Sequence, residues 1–102
     1  METVYRAIAD PTRRGILDSL AKHDVSVMEL AKGFDMSLPA VSQHLRVLKE
    51  ANLITGHRKG RQIFYHLNPD PLRQVFRWIR LYEKFWDNRL DALDAHLRKR
   101  HG

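Results

Sequence analysis

Apolar residues in this chain recur every three to four positions, except over one short stretch near the middle. Val4, Ile8 and Ala9 predict a short first helix with apolar residues four apart. Asp10-Pro11 then resets the chain, because Asp is a good helix cap and Pro fits the first helical turn. Ile16, Leu17, Leu20 and Ala21 give a second helix its apolar face, ending near Lys22-His23-Asp24. Ser26-Val27-Met28-Glu29 has capping-box spacing, so a third helix starts at Val27, buries Val27, Leu30 and Ala31, and stops at Gly33. Ser37 can cap a fourth helix whose inner face is Val41, Leu45 and Leu48, with Asn52 in the left-handed position that ends it. The pattern then changes to β-branched and aromatic runs over 53–57 and 62–67. Arg58-Lys59-Gly60-Arg61 lies between them, which predicts a two-stranded hairpin with glycine at its tip.

After Asn68-Pro69, Asp70-Pro71 repeats the cap-then-proline start, and no breaker follows until about Arg98. The apolar residues Leu72, Val75, Ile79, Tyr82, Trp86, Leu90, Leu93 and Leu97 follow a near-heptad spacing with one stutter. Phe76, Trp78, Leu81 and Phe85 form a second apolar line. A helix over 71–98 would be about 42 Å long, more than the core of so small a domain needs. Two apolar faces imply one for the helix's own domain and one for a partner, and a symmetric dimer satisfies that economically. The expected interface residues are Val4, Ile8, Val75, Ile79, Tyr82, Trp86, Leu90 and Leu93. A membrane-surface helix is disfavoured because Glu83, Asp87, Asp91 and Asp94 accompany the bases.

The order helix, helix, helix–turn–helix, hairpin, long helix is that of a mainly α winged helix–turn–helix with a small β-hairpin. One domain over 1–102 is expected, with the helix–turn–helix at 27–50, the wing at 53–67, and a dimerisation helix at 71–98 assisted by the N-terminal helix. The side of the fourth helix opposite its core face holds Pro39, Gln43, Arg46 and Glu50, with Ala40, Ser42 and Val47 on the flanks. Gln43 can pair with adenine in two hydrogen bonds, Arg46 can reach guanine or phosphate, and Ala40 can approach a thymine methyl. His44 falls nearer the core side, where packing or a phosphate contact suits it better than base readout. Arg58, Lys59 and Arg61 suit backbone or minor-groove contact at the wing tip.

Charge sharpens this picture. The chain has 102 residues, a net charge of +6 and no cysteine. Residues 36–68 hold Arg46, Lys49, Arg58, Lys59 and Arg61 against Glu50 alone, as a phosphate-facing surface requires. Without cysteine there is no disulfide, thiolate metal site, iron–sulfur cluster or thiol catalysis. No apolar run approaches the ~18 residues of a membrane span, and Met1 to Asp10 lacks the apolar stretch of a signal peptide. A small cytoplasmic protein is expected. No nucleophile–base spacing, glycine-rich phosphate loop or carboxylate pair falls in a plausible cleft, so an enzyme is not expected.

Ala9-Asp10-Pro11-Thr12-Arg13-Arg14, Ser37-Leu38-Pro39-Ala40-Val41-Ser42-Gln43-His44-Leu45, and Leu48-Lys49-Glu50-Ala51-Asn52-Leu53-Ile54 resemble the ArsR/SmtB family of bacterial repressors. The wing, with Arg58-Lys59-Gly60-Arg61 and Tyr65-His66-Leu67, matches too, and the resemblance runs in order over essentially the whole chain. It implies a homodimer that binds an inverted-repeat operator in double-stranded DNA and blocks transcription. Carried over by position, the recognition contacts fall on Ser37, Pro39, Ala40, Ser42, Gln43 and His44, with the wing arginines on the backbone.

Many members of that family release DNA on binding a metal. Where the best-known site has Cys-Val-Cys-Asp-Leu, this chain has Ser26-Val27-Met28-Glu29-Leu30, and the cap explains Ser26 and Glu29 without a metal. A second family site uses Asp-x-His on the last helix. Asp94-Ala95-His96 supplies that half, but the His-x-x-His or His-x-x-Glu that would complete it is missing. His57 and His66 lie on opposite wing strands, with a turn that places His57 near Gln62, and His23 reads as a loop residue. No metal or cofactor is expected, and the effector is unknown. The competing readings are a regulator with an apolar effector pocket at the dimer helices and a winged-helix module for protein–protein contact.

Overall fold

A computed structural model describes residues 2–86. The order is α1 (Glu2–Ile8), α2 (Pro11–Lys22), β1 (Val25–Ser26), α3 (Val27–Gly33), α4 (Leu38–Glu50), β2 (Ile54–Lys59), β3 (Gln62–Leu67) and α5 (Leu72–Arg80). The three antiparallel strands run in the order β1-β3-β2. This is the winged helix–turn–helix expected, with β1 as an addition. Val25 pairs with Tyr65 and Ser26 with Phe64, but two residues carry no periodicity that a sequence could show.

Local chemistry starts and stops most elements. Asp10 accepts the Arg13 backbone N–H at 3.0 Å, Ser26 that of Glu29 at 3.2 Å, and Ser37 that of Ala40 at 3.3 Å, each satisfying a free helix donor. The Ser26 hydroxyl also donates to Glu29 Oε1 at 3.2 Å, so a fully buried hydroxyl has both roles filled. The end of α4 is a left-handed cap: Asn52 has φ 59°, and the N–H of Leu53 donates back to the Leu48 carbonyl at 3.0 Å. A matching cap closes α3, but its left-handed residue is Asp35 at φ 51° and not Gly33, with the Met36 N–H donating to the Ala31 carbonyl at 2.9 Å. Gly15 instead makes room inside α2. A Cβ there would lie 2.8 Å from the Phe34 ring, which packs on that helix from the α3–α4 turn.

The core gathers Ile16, Leu17 and Leu20 from α2, Leu30 and Ala31 from α3, Val41, Leu45 and Leu48 from α4, and Leu53, Ile54 and Tyr65 beside and within the sheet. The first helix contributes Val4 and Ala7, whereas Ala9 is exposed past its end, as is Ala21 on α2. Val4 is therefore core, and at 4% exposure it has no surface to offer a partner. The hairpin tip is tighter than expected. Lys59 pairs with Gln62, leaving Gly60-Arg61 as a two-residue turn with Gly60 at φ 65°.

The last helix begins and continues differently from the sequence expectation. Pro71 is its flanking residue and Asp70 makes no side-chain cap; the entry is a tight turn with Leu72 N–H on Pro69 O at 2.9 Å. Regular helix ends at Arg80, and 81–82 form a turn before helix resumes over 83–86. Leu81 and Tyr82 donate to carbonyls three residues back, so the winding tightens there although no glycine or proline demands it. Leu90, Leu93, Leu97 and the remainder of the expected 71–98 helix lie outside the described residues.

Candidate nucleic-acid interface

The anchoring of α4 makes a reading surface possible. Its inner side, Val41, Leu45 and Leu48, is fully buried, so its roll about its own axis is set by the core. Pro39, Ser42, Gln43 and Arg46 are exposed and Ala40 is half-buried, as the helical wheel predicts for a groove-facing side. Ser37 is exposed too; its hydroxyl oxygen accepts the Ala40 N–H as the cap, which orients the first turn and leaves the hydroxyl proton to donate outward.

His44 is turned inward. Its side chain is 20% exposed, and its Nδ1 lies 3.3 Å from Arg13 Nη1 and 4.0 Å from Asp10 Oδ2. The ring therefore joins α4 to the start of α2. Arg13 reaches further, donating from Nε to Ala7 O and from Nη2 to Arg6 O, both at 2.8 Å. Arg14 donates to Ile8 O at 2.8 Å, so two guanidiniums from α2 supply donors to the carbonyls of Arg6, Ala7 and Ile8 that end α1. The Asp10 carboxyl sits below its ordinary value, chiefly because it accepts the Arg13 backbone N–H, with help from the charge of Arg13. The motif Asp10-Pro11-Thr12-Arg13-Arg14 is thus a corner brace. Sequence reasoning identified the cap and missed the arginines, whose carbonyl partners are visible only once α1 folds back.

Arg58, Lys59 and Arg61 are exposed at the wing, and none of them joins a salt bridge among the described residues. Lys49 of α4 and Arg58 of β2 line one recess with Gly56, His57, Ile63 and Tyr65, so basic groups of helix and wing adjoin. Asp24 holds the base of the wing: its carboxylate is 2.7 Å from His66 Nδ1 and 3.7 Å from His57 Nε2. This corrects the expected register. His57 pairs with Phe64, not Gln62, which puts both histidines within reach of one carboxylate that neither strand contains. Among the described residues no three His, Asp or Glu side chains are grouped so as to hold a metal ion. Asp94-Ala95-His96 lies outside those residues.

A second exposed surface runs along α5 and the turn and helix that follow it to residue 86. Phe76, Trp78, Ile79, Leu81, Tyr82, Phe85 and Trp86 all present large apolar area, while Val75 is half-buried against its own core. Tyr5 of α1 meets Trp78 edge-on at 5.8 Å between centroids, and Trp78 meets Tyr82 likewise at 5.8 Å. So α1 and α5 share one aromatic face, while Ile8 of α1 is half-buried against the protein's own core. Such a contiguous apolar patch on a small protein signals an interaction surface. No helix of the described residues is long and apolar enough to cross a membrane.

Comparison with known proteins gives a consistent result. Residues 10–55 match the family described as bacterial regulatory protein, arsR family. The transcriptional repressor SdpR of Bacillus subtilis is 42% identical over 90 residues, covering 88% of this chain and all of that protein. A helix–turn–helix-type transcriptional regulator of Mycobacterium tuberculosis, Rv2034, is 38% identical over 87% of this chain and 80% of its own length. Among solved structures, an ArsR-like transcriptional regulator from Rhodococcus sp. RHA1 superposes with a TM-score of 0.74. That match has 30% identity and covers 96% of this chain and 90% of the other.

Proposed function

Because the chain belongs to the ArsR family of DNA-binding transcriptional regulators, we propose that it works as a homodimeric repressor seated on an inverted-repeat operator. Residues 27–50 enter the major groove, 53–67 brace the backbone, and 71–98 with the N-terminal helix join the two copies. The observation that carries this reading is the pairing of two surfaces: a polar face on a core-locked α4 beside an acid-free wing, and an aromatic face on α1 and α5. Gln43 and Arg46 read base edges, Pro39, Ala40 and Ser42 permit close approach, and Ser37 and His44 hold the helix in place. Arg58, Lys59 and Arg61 contact phosphates. The interface draws on Ile8, Val75, Ile79, Tyr82 and Trp86, with Leu90 and Leu93 continuing the same row in sequence. Repression fits the relative named as a transcriptional repressor, and a regulator bound to the chromosome works in the cytoplasm.

A recess lined by Tyr5, Gln74, Arg77, Trp78 and Leu81 lies at these same helices, and its walls are mainly apolar. It fits a second copy of the chain better than a free effector, because it is continuous with the exposed aromatic row. Selection of random duplex DNA by the purified protein, at near-physiological salt, tests the proposal. An enriched inverted repeat with half-sites about 34–36 Å apart is the expected outcome. Salt-sensitive binding with no enriched sequence would overturn it.

A further inference from the structure

The aromatic face and the reading helix of one copy are separate surfaces, yet one side chain connects the elements that carry them. Arg13 donates from Nε to Ala7 O at 2.8 Å and from Nη2 to Arg6 O at 2.8 Å, so it grips the carbonyl end of α1. Its third nitrogen, Nη1, is 3.3 Å from His44 Nδ1 on α4. A guanidinium only donates, so His44 Nδ1 must accept and the imidazole proton resides on Nε2. Asp10 holds the base of the fork by accepting the Arg13 backbone N–H at 3.0 Å. On the far side, Tyr5 of α1 meets Trp78 of α5. The series Trp78, Tyr5, the end of α1, Arg13, His44 therefore runs from the aromatic face to the residue next to Gln43.

We infer that Arg13 is a positioning residue that sets the angle of α4 against the dimer face, and so the half-site spacing the protein accepts. The inference rests on the dimer reading above. The planar fork suits this task, since three fixed donors on two helices define an orientation that a single contact could not. One base pair added between half-sites shifts the second groove by about 3.4 Å along the axis. A rigidly held pair of reading helices cannot follow that shift without deforming the DNA.

The test measures binding of the full chain to duplexes whose half-sites are separated by the preferred spacer, one base pair less, and one base pair more. Arg13→Gln removes the fork. His44→Leu removes only the final link and leaves the α1 anchor in place, so it serves if the first variant folds poorly. Thermal midpoints are recorded alongside. The wild type should lose affinity by about tenfold or more for either altered spacer. Both variants should lose less than about threefold, with weaker binding at the preferred spacer. Lower thermal midpoints with wild-type spacer ratios would mean that Arg13 is merely structural, which overturns the inference while the dimer stands. Equal wild-type binding to all three spacers and to a single half-site would overturn the dimer reading, and the inference with it.

Discussion

Removing the two wing arginines together, Arg58→Ala with Arg61→Ala, should flatten the salt dependence of DNA binding on every sequence. Both side chains are exposed and neither joins a salt bridge among the described residues, so the change unmakes no side-chain contact the fold relies on. Each phosphate neutralised contributes about 0.9 to the slope of log affinity against log salt. A dimer presents the pair twice, so the slope should fall by about 3.6 if all four arginines meet phosphates. Between about 50 and about 200 mM salt, the wild type should therefore lose roughly 150-fold more affinity than the variant. Fluorescence anisotropy with the selected operator and a scrambled duplex, across a salt series, measures both slopes. The ratio of specific to scrambled affinity should hardly change, because backbone contacts place the protein without reading bases. A slope within about 0.5 of the wild-type value would refute phosphate contact by these groups. Loss confined to the operator would show that they read bases.

Gln43→Ala should leave that slope intact and relax preference at one base pair, costing about 1–3 kcal/mol there, as seen by repeating the selection with the variant. Ile79→Glu puts a charge in the exposed apolar row of α5 and should weaken dimerisation about 100-fold or more with the monomer still folded, measured by sedimentation. Asn52→Ala should cost about 1 kcal/mol in chemical denaturation because φ is 59° there, whereas Asn52→Gly should be close to neutral. The carboxyl of Asp10 is held below its ordinary value, so its charge contributes stability above the unfolded pKa near 3.9 that is lost as pH falls through the lower folded value. Asp10→Asn keeps a cap acceptor without the charge. The gap in thermal midpoint between wild type and variant should shrink from pH 6 to pH 3, and a constant gap would contradict that linkage.

What could be read from the chain alone is what depends on near neighbours. Helix caps act over three residues and apolar faces over three or four, so Asp10, Ser26, Ser37 and Asn52, and the inner row Val41, Leu45, Leu48, were all legible. The exposed side of α4 followed, since it is whatever that row leaves outside. The acid-free wing was likewise a matter of counting. Expectations failed where the outcome depends on which distant group arrives. Val4 looks the same whether its helix packs on its own core or on a partner, and only the fold-back of α1 buries it. Strand β1 exists because β3 offers two residues a free edge. Asp24 meets His57 and His66 across 33 and 42 positions of sequence because the hairpin closes with Lys59 opposite Gln62, which moves the partner of His57 two residues on, from Gln62 to Phe64. Arg13 finds His44 31 residues away, and no spacing rule links them. Sequence by itself determined the elements, their order, and the chemistry displayed on each. Tertiary structure alone decided which side chains cross between elements, because a hydrogen bond is made or lost within a few tenths of an ångström, while a periodic pattern only says which side of a helix is turned inward.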